Sequence, residues 1–329
     1  MFKDKKVLIS GGSGSWGCEL TKQLLEKDVG KVVIFSRGEL AQVVMRRKFN
    51  DSRIEFVKGD VRDAGAVDRL FARGFDYVYH LAALKHVPVC ENQPQEAIKT
   101  NITGTTNLVN SAIKYEVKKF IDVSTDKAVS PTNLYGFTKA IGEKICVQAN
   151  NLTEHTDFVC IRGGNVLGSN GSVVPLFIQQ IKEKNQITIT DGGMTRFFLT
   201  LSEAIGLLFQ ASEESVGGET FVMNMPAFTI NSLAEVLIKH YGDQLTDIKE
   251  IGIREGEKMD EVLVSEHESA RTYVYNNDYY VIAPEIQIDR NYSHLKSLEK
   301  VDFKAFSSAD DVKGPTFLRE LLDRGGFLL

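Results

Sequence analysis

A short apolar run near the start of the chain, Lys6-Val7-Leu8-Ile9-Ser10, breaks into Gly11-Gly12-Ser13-Gly14-Ser15-Trp16-Gly17 and resumes as a helical pattern with Leu20, Leu24 and Leu25 on one face. The loop satisfies Gly-x-x-Gly-x-x-Gly through Gly11, Gly14 and Gly17, and Gly-x-Gly-x-x-Gly through Gly12, Gly14 and Gly17. Glycine admits positive φ in a tight turn and lets backbone approach a pyrophosphate. The helix that follows offers free N–H groups and a partial positive charge. Such a loop is weak evidence in isolation. Between a strand and a helix it constrains the fold to one built around a dinucleotide, against the plainer reading of a glycine-rich turn.

The alternation continues. Strands are predicted at Lys31–Phe35, Ile54–Val57, Tyr77–Ala83, Phe120–Val123 and Phe158–Ile161, with helices over 40–49, 64–73, 94–115 and 133–150 between them. Unbroken apolar strands alternating with helices imply a parallel sheet covered on both faces. Right-handed crossovers wind it into an α/β, Rossmann-type doubly wound sheet. After about Gly168 the rhythm loosens, and charged residues cluster between Lys249 and Arg271. Residues 1–168 therefore read as a dinucleotide-binding domain, with segments around 193–222 returning to it, and 169–329 as a smaller C-terminal α/β substrate-binding lobe. There is no repeat or flexible linker.

The 329 residues carry a net charge of −5 with no basic stripe, which argues against a nucleic-acid surface. Cys18, Cys90, Cys146 and Cys160 form no Cys-x-x-Cys pair and no ligand set with His, so no metal is expected and reduced thiols fit best. Residues 1–6 contain no signal-peptide core, and no apolar run approaches the roughly 20 residues that span a bilayer. A cytoplasmic location follows as the expectation, with the sequons at Asn101, Asn151 and Asn291 matching by chance.

The second strand ends Phe35-Ser36-Arg37-Gly38, where an NAD enzyme usually carries an acid for the ribose 2′-hydroxyl. A hydroxyl and a guanidinium suit a 2′-phosphate, which favours NADP. Glu39 stands close enough to keep NAD open. Asp60 and Val61, after the third strand, are placed to meet adenine, or Asp60 sits in a turn while Asp63 caps the next helix. Ala82 and Ala83 are small enough to let backbone lie against the cofactor.

Tyr135 and Lys139 are four apart near the start of a helix and share a face. A neighbouring ammonium and an oxidised nicotinamide would favour the phenolate, so the pair can move a hydroxyl proton while hydride leaves. Ser124-Thr125 ends the fifth strand, where parallel sheets put chemistry. Asp126-Lys127 then adds a second acid–base pair, beyond what a simple dehydrogenase needs. It suits oxidation at a sugar C4, loss of the acidified C5 proton to Lys127 if desolvation lowers its pKa, and expulsion of the C6 hydroxyl as water with Asp126 as acid. An exposed Asp–Lys turn is the plainer alternative. His80, His86, Phe197 and Phe198 read as packing residues.

The run Ser124-Thr125-Asp126-Lys127-Ala128-Val129-Ser130-Pro131-Thr132-Asn133-Leu134-Tyr135-Gly136-Phe137-Thr138-Lys139 resembles the soluble UDP-N-acetylglucosamine 4,6-dehydratases, extended short-chain dehydrogenases/reductases of bacterial surface-sugar pathways. So do the stretches His80–Pro88, Lys99–Ile102, Gly164–Ser169, Gly171–Pro175, Asp191–Phe197 and Arg254–Glu261. The resemblance implies NADP held by Gly11, Gly14, Ser15, Trp16, Gly17, Ser36 and Arg37, with Thr125, Asp126, Lys127, Tyr135 and Lys139 catalytic. Lys85, Asn165, Ser172, Val173, Thr195, Arg196, Arg254 and Glu257 match positions that line the UDP-sugar site, where arginines would grip the diphosphate. It further implies a homo-oligomer, dimer or hexamer. Gly38 stands where the family often has Asp, Trp16 where it has Phe, and Glu255 and Asp260 replace Pro and His. These departures bear on fine substrate contacts. Tyr135 resembles the branch that inverts C5. A 4-epimerase or reductase acting on a similar substrate, and a silent NADP-sensing protein, are the rival readings.

Overall fold

A computed structural model of the chain describes residues 1–169 and 171–328. The chain runs β1 (Lys6–Ser10), α1 (Ser15–Glu26), β2 (Lys31–Ser36), α2 (Glu39–Phe49), β3 (Ile54–Lys58), α3 (Ala64–Phe71), β4 (Tyr77–His80), α4 (Val87–Asn92), α5 (Pro94–Ile98), α6 (Gly104–Lys114), β5 (Lys119–Thr125), α7 (Leu134–Ala149) and β6 (Asp157–Gly163). It continues through β7 (Asn165–Val166), α8 (Val173–Lys184), β8 (Gln186–Ile189), β9 (Thr195–Leu199), α9 (Leu201–Glu214), β10 (Thr220–Met223), β11 (Ala227–Thr229), α10 (Ile230–Tyr241) and β12 (Asp247–Glu250). The last elements are β13 (Val262–Val264), α11 (Glu266–Ser269), β14 (Thr272–Val274), β15 (Tyr279–Ile282), α12 (Ser293–Lys296), β16 (Phe306–Ser307) and α13 (Pro315–Arg324).

The main sheet has the order β14-β15-β10-β6-β5-β4-β1-β2-β3. From β10 to β3 every neighbouring pair is parallel, and β15 and β14 close that edge antiparallel. This is the doubly wound α/β sheet expected from the sequence. Alternate residues of each strand feed opposite cores, as the two-residue strand period requires. Val7, Ile9, Ile34, Ile121 and Val159 pack under α1 and α9, and Leu8, Val33, Phe35, Phe120 and Phe158 under α3, α6 and α7. Each such side chain, fully buried, contributes about 1.5–3 kcal/mol. The chain leaves β1 toward β2 on one side and returns to β4 on the other. The crevice at their carboxyl ends is where a ligand belongs in such a sheet.

Two local expectations fail for physical reasons. The fourth strand stops at His80 rather than Ala83, because Leu81–Lys85 peels away and is held instead by Asn101, whose Oδ1 accepts from Leu84 N at 2.8 Å and whose Nδ2 donates to Leu84 O at 2.9 Å. The helix expected over 94–115 is interrupted by a π turn at Lys99–Thr103, and that turn carries Asn101. Such π turns occur often at functional sites. A short helix, α4, begins with Pro88 in its first turn, where a missing N–H costs nothing.

Beyond β6, β7, β9 and β11 form a three-stranded sheet, while β8 pairs with β12 and β13 with β16. Phe177, Ile181, Leu233, Leu237, Leu318 and Leu322 from α8, α10 and α13 form a separate apolar core. A buried ion triad ties this region to the main sheet: Arg162 on β6 bonds Glu143 of α7 at 2.7 and 2.8 Å and Glu268 of α11 at 2.8 and 3.0 Å.

Candidate active site

Two cavities meet at the carboxyl end of the sheet, one of about 550 Å³ over the glycine loop and one of about 700 Å³ toward the C-terminal region. Gly11, Gly14, Ser15, Trp16 and Gly17 floor the first. Gly11 sits at φ +70°, and a Cβ there would lie 2.7 Å from Ala82 N, so only glycine fits between β1 and β4. Gly14 caps α1 without a side chain and no acidic residue occupies the first turn, so the positive end of the helix faces the cavity. Ser36, Arg37, Asp60, Val61, Ala82 and Ala83 complete the walls.

The Ser36 hydroxyl accepts from Ser13 Oγ at 2.9 Å and Gln42 Nε2 at 3.0 Å, leaving its own proton to point elsewhere. Arg37 is half exposed and only 3.9 Å from Asp60, whose main partner is Arg62 at 2.6 Å. Burial opposes the Asp60 charge, yet Arg62 outweighs it and holds the pKa below the usual range. Glu39 turns away to Lys58 at 3.2 Å with its side chain 77% exposed. Asp63 caps α3 through Ala66 N.

Tyr135, Thr125 and Lys127 line the first cavity, and Lys85, Lys127 and Asn165 line both. The close approach of α7 to the turn at 126–128 depends on Gly136, where a Cβ would fall 2.1 Å from Lys127 O. Lys127 Nζ donates to Asp126 Oδ1 at 3.1 Å and lies 3.1 Å from Glu261 Oε1. Thr125 Oγ1 donates to the same Asp126 oxygen at 2.8 Å. Asp126 lies behind Lys127, 1% exposed, and its Oδ2 has no partner among the described residues. Lys139 is buried with both oxygens of Asp122 at 3.1 Å.

Two expected pKa shifts are reversed. Burial opposes the Lys127 charge, but Asp126 and Glu261 together override it, so its pKa lies above the ordinary lysine value rather than below. Burial pushes the Tyr135 phenol up, and the pull of Lys139 and Lys127 does not compensate. Asp122 neutralises Lys139, which weakens that pull.

Ser172, Val173, Arg196, Arg254, Glu257 and Glu261 line the second cavity. Arg196 is largely spent on structure: it donates to Thr195 O at 2.7 Å, Met259 O at 2.9 Å and Lys258 O at 2.9 Å, and faces Glu257 at 3.6 Å. Arg254 is left as the exposed guanidinium of that wall. Thr195 lines neither cavity; its hydroxyl bonds Asp260 at 2.5 Å and Ser308 at 2.6 Å. His80 is a packing residue, held between Ser10 Oγ at 2.7 Å and Thr105 Oγ1 at 2.8 Å, and burial lowers its pKa to about 4. Phe197 and Phe198 are buried core.

Sequence reasoning passed over Asp122, Asn101 and Glu261. An acid inside the apolar run Phe120-Ile121-Asp122-Val123 was a usable signal, because a buried carboxylate needs a cation. Asn101 and Glu261 fall inside the matched stretches Lys99–Ile102 and Arg254–Glu261, but their partners are 17 or more residues away, so nothing local showed what they hold. Asp122 also approaches Cys146 and Cys160, with ligand atoms within 4.8 Å. Both thiols are held above their usual pKa and the carboxylate is taken by Lys139, so the donor set does not suit a metal.

No helix among the described residues is long and apolar enough to cross a membrane. The chain is 42% identical over 292 residues to a UDP-N-acetylglucosamine 4,6-dehydratase (inverting) of Campylobacter jejuni, covering 88% of this chain and 85% of that one. It is 43% identical over 287 residues to a protein of Rickettsia bellii named UDP-glucose 4-epimerase, covering 85% and 84%. Among solved structures, Pen from Bacillus thuringiensis superposes over 100% of both chains with a TM-score of 0.93 at 38% identity. The family described as polysaccharide biosynthesis protein matches residues 7–284. With its extended short-chain dehydrogenase/reductase fold, the chain belongs to that polysaccharide biosynthesis protein family.

Proposed function

We propose that the protein is a UDP-N-acetylglucosamine 4,6-dehydratase that produces a UDP-4-keto-6-deoxy sugar, with inversion at C5 and NADP as cofactor. The observation that carries this reading is the hydrogen-bonded Asp126–Lys127 pair near Tyr135, with Lys127 lining both cavities and Asp126 buried behind it. Residues 1–168, with segments around 193–222 returning to them, are read as the cofactor domain, and 169–329 as the substrate lobe.

The first cavity fits a dinucleotide. The Gly11 cradle would be filled by any Cβ, the end of α1 is uncapped by side chains, and Ser124 Oγ and Thr100 Oγ1 line the wall without partners among the described residues. Ser36 and Arg37 suit a 2′-phosphate, and Glu39 is turned away from the role it would have with NAD. When bound, NADP supplies a hydride acceptor for sugar C4 and a hydride donor for C6.

Tyr135 takes the proton of the C4 hydroxyl, held in place by the cap Asn133 gives α7. The C4 ketone then acidifies C5. One proton passing along the 3.1 Å Lys127–Asp126 bond first turns the resting ammonium–carboxylate pair into amine and acid. Lys127 then takes the C5 proton, and the C–H electrons form the C5–C6 double bond as the C6–O bond breaks. Asp126, as the acid, protonates the departing hydroxyl, and water leaves. The pair ends as ammonium and carboxylate, as it rests. As hydride reaches C6, a solvent proton enters C5 on the face away from Lys127 while Tyr135 releases the C4 hydroxyl proton to solvent. A 4-epimerase needs the Tyr135–Lys139 couple but no such buried pair. Exposed Phe137 and Ile141, one turn apart on α7, support the further reading of a homo-oligomer.

The test is incubation of the purified chain with UDP-N-acetylglucosamine and NADP. The product should be lighter by one water, with no net absorbance from reduced cofactor. A product of unchanged mass, or stoichiometric cofactor reduction, overturns the reading.

A further inference from the structure

The acid–base pair has a third buried member. Glu261 lines the second cavity yet is only 2% exposed; its Oε1 lies 3.1 Å from Lys127 Nζ, and its Oε2 is buried with no partner among the described residues. A buried carboxylate left half-satisfied is costly unless something uses it. Lys127 Nζ is thus clamped between Asp126 from its own turn and Glu261 from the far lobe.

The far side is held with equal care. Ser308, 0% exposed and just past β16, accepts from Glu261 N at 2.9 Å and donates its own N–H to Glu261 O at 2.8 Å. Its hydroxyl also meets Thr195 Oγ1 at 2.6 Å, and Thr195 in turn holds Asp260. A segment near the C-terminus, which carries no recognisable motif, therefore fixes the main chain of Glu261 under the catalytic lysine.

We propose that Glu261 is a positioning residue of the acid–base unit, holding the Lys127 amine against Asp126 and stabilising the ammonium that forms when Lys127 takes a proton, with Ser308 locking Glu261 in place. The proposal rests on the dehydratase reading for the step it serves, but the clamp itself is a property of the unliganded chain. The charged or titratable groups facing Lys127 are Asp126 in its own turn, Tyr135 on α7, Arg196 on β9, and Lys258 and Glu261 on the approach to β13. Arg196 sits 3.9 Å from Glu261 and damps its effect without replacing it. Loss of the Glu261 charge lowers the Lys127 pKa, because the remaining carboxylate must offset burial alone.

Competitive trace acetylation of the full chain at pH 9, read by mass spectrometry, tests this without substrate. Glu261→Gln should raise acetylation of Lys127 about tenfold relative to exposed Lys22, the change expected for one pKa unit. Lys85 lines the same cavity, and Glu261 is not among the causes of its shift, so its labelling should stay level. Ser308→Ala should give a smaller rise at Lys127 and serves if Glu261→Gln does not fold. An unchanged Lys127, or an equal rise at Lys85 from general loosening, overturns the proposal. Turnover of UDP-N-acetylglucosamine is measured separately on the wild type. Absence of water loss there would sink the dehydratase reading and leave the labelling result standing.

Discussion

Lys139 and Asp122 form a closed ion pair inside the main sheet, with Lys139 Nζ 3.1 Å from each carboxylate oxygen and neither side chain more than 5% exposed. The pair joins α7 to β5 directly beneath Tyr135. Removing one partner leaves a buried charge uncompensated. Asp122→Asn should therefore cost about 3–5 kcal/mol in urea unfolding. Turnover should fall as well, because the amine that orients Tyr135 loses its anchor.

Gly136 is where α7 touches the catalytic turn. A methyl group there would meet Lys127 O at 2.1 Å, so Gly136→Ala must push the turn at 126–128 away from Tyr135. A shift of about 1 Å between catalytic groups can cost on the order of 100-fold in rate. The expected result is a kcat loss of that order with far-ultraviolet circular dichroism unchanged.

Arg37 is the half-exposed guanidinium beside Ser36 and lies 3.9 Å from Asp60. If it binds a 2′-phosphate, Arg37→Ala should weaken NADP by about 10–100-fold, the worth of a charge-assisted hydrogen bond, and leave NAD affinity nearly unchanged. Isothermal titration with both cofactors checks this.

The Arg162 triad sets an acid limit on stability. Burial opposes the Glu268 charge, but Arg162 at 2.8 Å and the Ser265 contacts override it and hold the pKa at about 2. A carboxyl depressed in the folded state stabilises fully above its unfolded pKa near 4.5 and loses that contribution as pH falls toward 2. Wild type should lose on the order of 3 kcal/mol over that window from this group. Glu268→Gln should be less stable at pH 7 and show a flatter acid limb in chemical unfolding followed from pH 6 to 3.

Much of the architecture was legible because it is written locally. The glycine loop, the apolar strands and the Tyr135–Lys139 spacing each encode their own element, and the sheet follows from their alternation. What escaped was long-range. The π turn at Lys99–Thr103 exists because Asn101 reaches across to Leu84. Lys127 is held above the usual lysine pKa by Asp126 together with Glu261, the latter 134 positions further along and fixed by Ser308. Reading Asp126 and Lys127 from neighbouring positions captured the pair but not the third charge that joins it. Arg196 resembled a diphosphate ligand by motif, yet its donors are taken by the carbonyls of Thr195 on β9 and of Lys258 and Met259 before β13, which only the folded geometry reveals.

The central claim is that Lys127 and Asp126 carry out elimination across C5 and C6. The most direct measurement is proton NMR of the product formed from UDP-N-acetylglucosamine in deuterium oxide with wild type and Lys127→Ala. The expected wild-type product is a 4-keto-6-deoxy sugar with deuterium at C5 and a methyl group at C6, and the variant should yield none. A C4 epimer that retains its C6 hydroxyl and its C5 proton, formed equally by both proteins, would contradict the claim.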